Sequence, residues 1–155
     1  MAATSSAAPP SRLNGKWKPN PAKSESIEPF LVEMGVSWLL RQAAKRQAPV
    51  MELTVTGTTF RQVMAGPMGK KTDNGGEFGT EIEWKTPMST SMVTVTLTED
   101  GDVLVSGASP NKRDPAGRMV ARFSPQPDGT VAHTIEITRG DGSVLLIRRV
   151  LERVE

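Results

Sequence analysis

The chain has 155 residues, 37% of them hydrophobic, no cysteine and no tyrosine, and a formal net charge of +2 from 19 basic and 17 acidic side chains. That is enough apolar material for one compact domain and too little chain for two ordinary ones. The absence of cysteine excludes disulfides, a thiolate nucleophile and cysteine-ligated metal, and is compatible with a reducing compartment; the small charge excess supplies no concentrated basic face of the kind nucleic acid requires.

Met1 to Pro10 has neither a basic stretch followed by an apolar core nor a run long enough to span a bilayer. Residues 1–12 are therefore expected to form a disordered tail on a soluble, cytoplasmic protein whose single domain covers 13–155. Leu13 to Lys18 reads as a short first strand, broken by Pro19 and Pro21. Ser26 is placed to cap a short helix with Pro29 in its first turn, where the missing N–H costs nothing, and Gly35 ends it. A second helix is predicted from about Ser37 to Gln47, limited by Pro49, with an apolar side of Val36, Leu39, Leu40 and Ala43 and a basic side of Arg41, Lys45 and Arg46. The pair, about 26–47, is expected to form a lid, with Phe30, Val36, Trp38 and Leu40 as its lid and portal residues.

From Val50 the hydrophobic period changes from 3.6 to 2, and no further helix signal appears. Met51, Leu53 and Val55 alternate with polar residues, and a turn at Gly57 leads into Phe60 to Met64, a hairpin. Ala65 to Gly76 is rich in turn residues and reads as a mobile loop, followed by a strand over Glu77 to Lys85. Met92 to Thr98 alternates cleanly and turns at Gly101. Arg118 to Phe123 carries Arg122 on the face of Val120, and Thr130 to Thr138 places Val131, His133, Ile135 and Ile137 on one face. In the closing strand Leu145, Ile147, Arg149 and Leu151 share a face; the alternative register, with Leu146, Arg148, Val150 and Glu152 inward, is more polar at its centre. Nine or ten short strands in meander order predict a mainly β protein, a ten-stranded antiparallel up-and-down barrel capped by a two-helix lid.

A barrel of that size is wider than side chains alone fill and tends to enclose a cavity. Arg149 among aliphatics needs an anionic or hydrogen-bonding partner, either a protein carboxylate or a bound anion. Arg149, Arg122 and His133 facing one cavity would suit a carboxylate or phosphate headgroup, which arginine grips with two parallel hydrogen bonds.

Four segments, in order along 13–155, resemble the intracellular lipid-binding proteins, the family of the cellular fatty-acid-binding and retinoid-binding proteins. Asn14-Gly15-Lys16-Trp17-Lys18 is similar to the family's opening Gly-x-Trp strand, and Met34-Gly35-Val36-Ser37-Trp38-Leu39-Leu40-Arg41 to the Leu-Gly-Val-x-x-x-x-Arg join between its lid helices. Thr80-Glu81-Ile82-Glu83-Trp84-Lys85 resembles a Thr-Glu-Ile-x-Phe-Lys strand, and Arg149-Val150-Leu151-Glu152-Arg153 the terminal Arg-x-Tyr-Glu-Arg. The resemblance implies non-enzymatic binding and transport of a fatty acid or similar acid-headed lipid, with Arg149 and Arg122 as anchoring arginines and Leu151 at the site beside them; His133, on its otherwise apolar strand face, is expected to line the cavity as an interior polar group. Leu151 stands where the family has tyrosine, which leaves open a bulkier or differently oriented ligand.

The remaining chemistry is sparse. A lone histidine is a poor metal site, so neither metal nor cofactor is expected. With no Gly-x-Ser-x-Gly elbow and no phosphate-binding loop, catalysis lacks its parts. Two alternatives stand beside the carrier: a calycin-type haem protein or barrel enzyme using His133, and a nucleic-acid module built on the basic helix pair, which the all-strand remainder disfavours. Arg41, Lys45 and Arg46 are a candidate contact with anionic membranes during ligand transfer. The chain is expected to be a monomer.

Overall fold

The computed structural model describes residues 10–46, 49–65, 71–86 and 90–154. Ten strands follow one another as β1 (Gly15–Pro19), β2 (Val50–Val55), β3 (Thr59–Ala65), β4 (Lys71–Glu77), β5 (Glu81–Lys85), β6 (Thr90–Leu97), β7 (Val103–Ala108), β8 (Arg118–Pro125), β9 (Val131–Thr138) and β10 (Val144–Arg153), with helices α1 (Glu28–Glu33) and α2 (Trp38–Arg46) between β1 and β2. The strands form one antiparallel sheet in the order β4-β3-β2-β1-β10-β9-β8-β7-β6-β5. Sequence neighbours pair except β4 with β5, and β1 closes onto β10, with Trp17 opposite Arg153. The expected mainly β barrel with its helical lid is the fold observed.

Period-two alternation decides what fills the interior. Trp17, Leu53, Phe60, Val93, Val95, Val105, Phe123, Val131 and Leu151 are all buried in one cluster, while their sequence neighbours face outward. In β10 the register with Ile147, Arg149 and Leu151 inward is the one adopted, and Arg149 lies directly across from His133 of β9.

Three local expectations are corrected. Lys71 to Glu77, expected in a loop, is strand β4, paired with β3 from Ala65 opposite Lys71 to Thr59 opposite Glu77. Its glycines allow this, because a Cβ on Gly75 would stand 2.6 Å from the Phe60 carbonyl and one on Gly76 2.5 Å from Ile82. Glu77 to Lys85 is split by a turn with Gly79 at φ +82°, so β4 and β5 are separate strands. The N-cap of α1 is Ile27 rather than Ser26, although the Ser26 hydroxyl accepts from the Glu28 N–H at 3.1 Å, and Pro29 occupies the first turn as expected.

Helix α2 begins after Ser37, whose hydroxyl accepts from the Leu40 N–H, and Gln47 lies outside the described residues. Of the tail expected over 1–12, residues 1–9 lie outside the described residues, and Arg12 donates to the Gln126 carbonyl. Residues 66–70 of the turn-rich stretch also lie outside them. Among the described residues no helix is long and apolar enough to cross a membrane.

The β4 and β5 edges are the two ends of the sheet order, so they lack a backbone ladder between them. Asn74 spans the gap with its side chain: Nδ2 donates to the Lys85 carbonyl at 2.7 Å, and Oδ1 accepts from the Lys85 N–H at 2.8 Å. One amide side chain thus stands in for a missing pair of strand hydrogen bonds. Above the barrel, α1 is tied down by Glu33, which accepts from Arg139 Nε at 3.1 Å and Nη2 at 2.9 Å and from Asn111 Nδ2 at 2.9 Å. Glu28 of α1 pairs with Arg41 and Lys45 of α2.

Candidate functional site

Between the lid and the barrel wall lies a cavity of about 640 Å³. Phe30 and Leu31 from α1 and Met34 at its end cover it, Trp17, Met51, Met64, Trp84, Ile135 and Leu151 supply its apolar wall, and Gln62, Thr72, Asn74, His133 and Arg149 are among its polar groups. A mostly apolar enclosure with a few fixed polar groups is the ordinary form of a small-molecule site.

Arg149 is the decisive feature. The ion pairs of the described residues join Glu28 to Arg41 and Lys45, Asp73 to Arg61, Asp102 to Arg122 and Glu33 to Arg139, and none involves Arg149. Its Nε is buried without an acceptor, and desolvation pulls the guanidinium pKa below its ordinary value. Glu25 lines the same cavity, but its carboxylate accepts from the Arg148 backbone N–H at 2.7 Å.

His133 faces Arg149 across the strand pair and stacks on Phe123 with ring centroids 4.3 Å apart and planes 6° from parallel. Burial, helped by the positive field of Arg149, pushes its pKa down to about 3, so the imidazole is neutral at physiological pH. It makes no hydrogen bond to a described residue. Phe60 lies tilted 40° against Phe123 at 5.9 Å and in turn stacks on Trp84 at 6.4 Å, forming an aromatic row along the wall. Among the described residues no group of three His, Cys, Asp or Glu side chains is placed to hold a metal ion.

The structure thus brings together Arg149, His133, Leu151 and Phe30 on one cavity. Arg122 is not brought to it. Phe123 pairs with His133 inward, so Arg122, one residue earlier, points out and pairs with Asp102 at 3.1 Å. It does lie on the face of Val120, as the alternation implied, but that is the outer face; Met119, Ala121 and Phe123 form the wholly apolar inner one. Among the expected lid residues Val36 is buried, whereas Trp38 is 64% exposed and Leu40 is also exposed, so neither lines the cavity. The α2 residues that do line it are Ala44, Lys45 and Arg46. Sequence reasoning passed over Gln62, although the alternation starting at inward Phe60 carries the signal that places it inside.

No family model matches the chain. It is similar to fatty acid-binding protein homolog 5 of Caenorhabditis elegans, at 32% identity over 90 residues, which is 58% of this chain and 64% of that relative. Among solved structures, the REP1-NXSQ fatty acid transporter superposes with a TM-score of 0.73 over 92% of this chain and 96% of that one, at 19% identity. The zebrafish ileal bile acid-binding protein in complex with cholic acid gives 0.69 over 93% of this chain and 100% of that one, at 19% identity.

The chain has the ten-stranded barrel fold of these solved structures, and it spans just under two thirds of the length of the curated relative it matches. The resemblance carried by the opening Gly-x-Trp, the helix join and the Arg-x-Leu-Glu-Arg terminus is borne out. In this barrel the Trp17 indole donates to the Leu13 carbonyl at 2.8 Å while Arg153 lies 4.5 Å from the centre of its ring, which fixes the start of β1 against the end of β10.

Proposed function

We propose that the chain, as a single domain over 13–155, is a non-enzymatic carrier of a small hydrophobic molecule with an acidic headgroup, working in the cytoplasm as a monomer. The observation that carries this reading is the uncompensated guanidinium of Arg149 inside an apolar cavity. A buried charge without a partner costs several kcal/mol. A ligand carboxylate seated on Arg149 would recover that cost through a charge-assisted, bidentate contact, while the tail gains about 25 cal/mol for each Å² of apolar surface it buries. The names of the relatives, a fatty acid-binding protein homolog, a fatty acid transporter and a bile acid-binding protein, agree with a ligand of this kind.

His133 supplies the second headgroup contact in this reading. Neutral and adjacent to Arg149, it can donate one ring N–H to a carboxylate that the guanidinium already holds. That role substitutes for the hydroxyl missing at Leu151. Arg122 takes no part, being engaged with Asp102 outside. Arg41 and Lys45 are paired with Glu28, which leaves Arg46 as the α2 cation without an ion pair among the described residues for contact with an anionic membrane. A haem protein or a nucleic-acid module gains no support from a neutral, stacked histidine or from a lid half-neutralised by Glu28.

Native mass spectrometry of the purified protein, followed by extraction of what co-purifies, tests the proposal. The expected result is one acidic lipid per chain. Retention of only neutral lipids would contradict it.

A further inference from the structure

Resting on the carrier reading above, we infer that the ligand of this cavity carries, besides its acid group, a hydroxyl at mid-chain, held by the side chain of Gln62. Gln62 is only 6% exposed and lines the same cavity as Arg149. Its amide makes no hydrogen bond to any described residue. Its cross-strand partner Asn74 cannot satisfy it, because both ends of that amide are committed to the Lys85 backbone. The amide opens onto the cavity, so its hydrogen-bonding partner must come from whatever fills that space.

Two further observations make this a second polar end of the site. Thr72 of β4 lies two residues from Asn74 on the same inward face and lines the cavity, and its hydroxyl makes no side-chain hydrogen bond to a described residue. Gln62 and Arg149 are also far apart: β2 and β1 lie between β3 and β10 in the sheet, so three strand spacings, roughly 14 Å around the wall, separate them. One headgroup cannot occupy both. A chain lying across the cavity reaches from Arg149 to Gln62 only at its middle, and a hydroxyl there can donate a hydrogen bond to the Gln62 Oε1 or accept one from the Nε2–H.

Displacement titrations of the full chain with octadecanoic acid and its mid-chain hydroxylated counterparts test this, on the unaltered protein and on Gln62→Leu. At least one hydroxylated acid is expected to bind the unaltered protein about tenfold more tightly than octadecanoic acid, roughly what one hydrogen bond contributes. Gln62→Leu is expected to erase that preference while binding octadecanoic acid at least as well. Gln62→Met serves if the leucine variant does not fold. Equal affinities on the unaltered protein, the result if cavity water alone satisfies the amide, overturn the inference and leave the carrier reading standing. A preference that survives both substitutions also overturns it, and failure of every acid to bind overturns both readings.

Discussion

At the scale of single residues, Arg149 and His133 form a pair whose charges are set by burial. The guanidinium stays cationic because its ordinary pKa is so high that desolvation lowers it without neutralising it. The imidazole gives way, and its pKa falls to about 3. In the unfolded chain this histidine titrates near 6.5, so the unfolded state binds more protons between the two values. Stability is therefore fully present above about pH 6.5 and is lost as pH falls toward 3, at up to about 1.4 kcal/mol for each pH unit crossed. His133 is the one histidine of the chain, and the carboxylates with shifted values, Glu28, Glu33, Asp73, Asp128 and Asp141, are all shifted downward from ordinary values of 4.5 or 3.8, so what they contribute is lost below the window between pH 7 and pH 5. Thermal melts between pH 7 and pH 5 should fall for the unaltered protein and stay nearly level for His133→Leu. Parallel curves would contradict the assignment.

Arg149 was legible in the sequence because three aliphatics share its face in a strand with strict alternation. Arg122 misled because its strand was judged by a single neighbour, Val120. The complete inner face, Met119, Ala121 and Phe123, has no polar member and was the better guide. Gln62 went unnoticed for a related reason: one polar residue between Phe60 and Met64 reads as a solvated position until the barrel closes around it.

At the scale of elements, β4 shows where propensity fails. Thr72-Asp73-Asn74-Gly75-Gly76 has turn composition, yet it is strand because its small residues admit the backbone of β3 on one side and Ile82 on the other. Asn74 then does across the β4–β5 gap what a backbone ladder does elsewhere. No local pattern could reveal this, since the partner at Lys85 is eleven residues away. Removing the two hydrogen bonds in Asn74→Ala should cost about 1–3 kcal/mol, lowering the melting temperature by several degrees for a chain of this size. A melting temperature unchanged within a degree would show that the gap needs no bridge. The helices, by contrast, were placed to within two residues by Pro29, Gly35 and Ser37, whose backbone restrictions act locally.

At the scale of the whole molecule, barrel and lid together enclose the cavity. The barrel gives an enclosure of about 640 Å³, and the lid closes it with Phe30, Leu31 and Met34 while turning Leu39, 72% exposed, away from it. The lid is clamped to the barrel through Glu33, Arg139 and Asn111, so its position is fixed by charge and hydrogen bonding as well as by apolar contact. Fold class, lid and strand order were legible because period and turn chemistry repeat over the chain, whereas which lid face turns inward depends on tertiary docking that an amphipathic pattern alone leaves open.

The central claim is that the molecule tolerates an unpaired buried cation because a ligand acid completes it. Replacing that cation by an apolar group of similar length separates the two costs. Calorimetric titration of the unaltered protein and Arg149→Met with a long-chain fatty acid and its methyl ester, beside the ligand-free melting temperatures of both proteins, measures this directly. The substitution should raise the ligand-free melting temperature, weaken binding of the acid by about ten- to a hundredfold, and leave binding of the ester nearly unchanged. An Arg149→Met protein that melts lower and still binds the acid as tightly as the unaltered protein would contradict it.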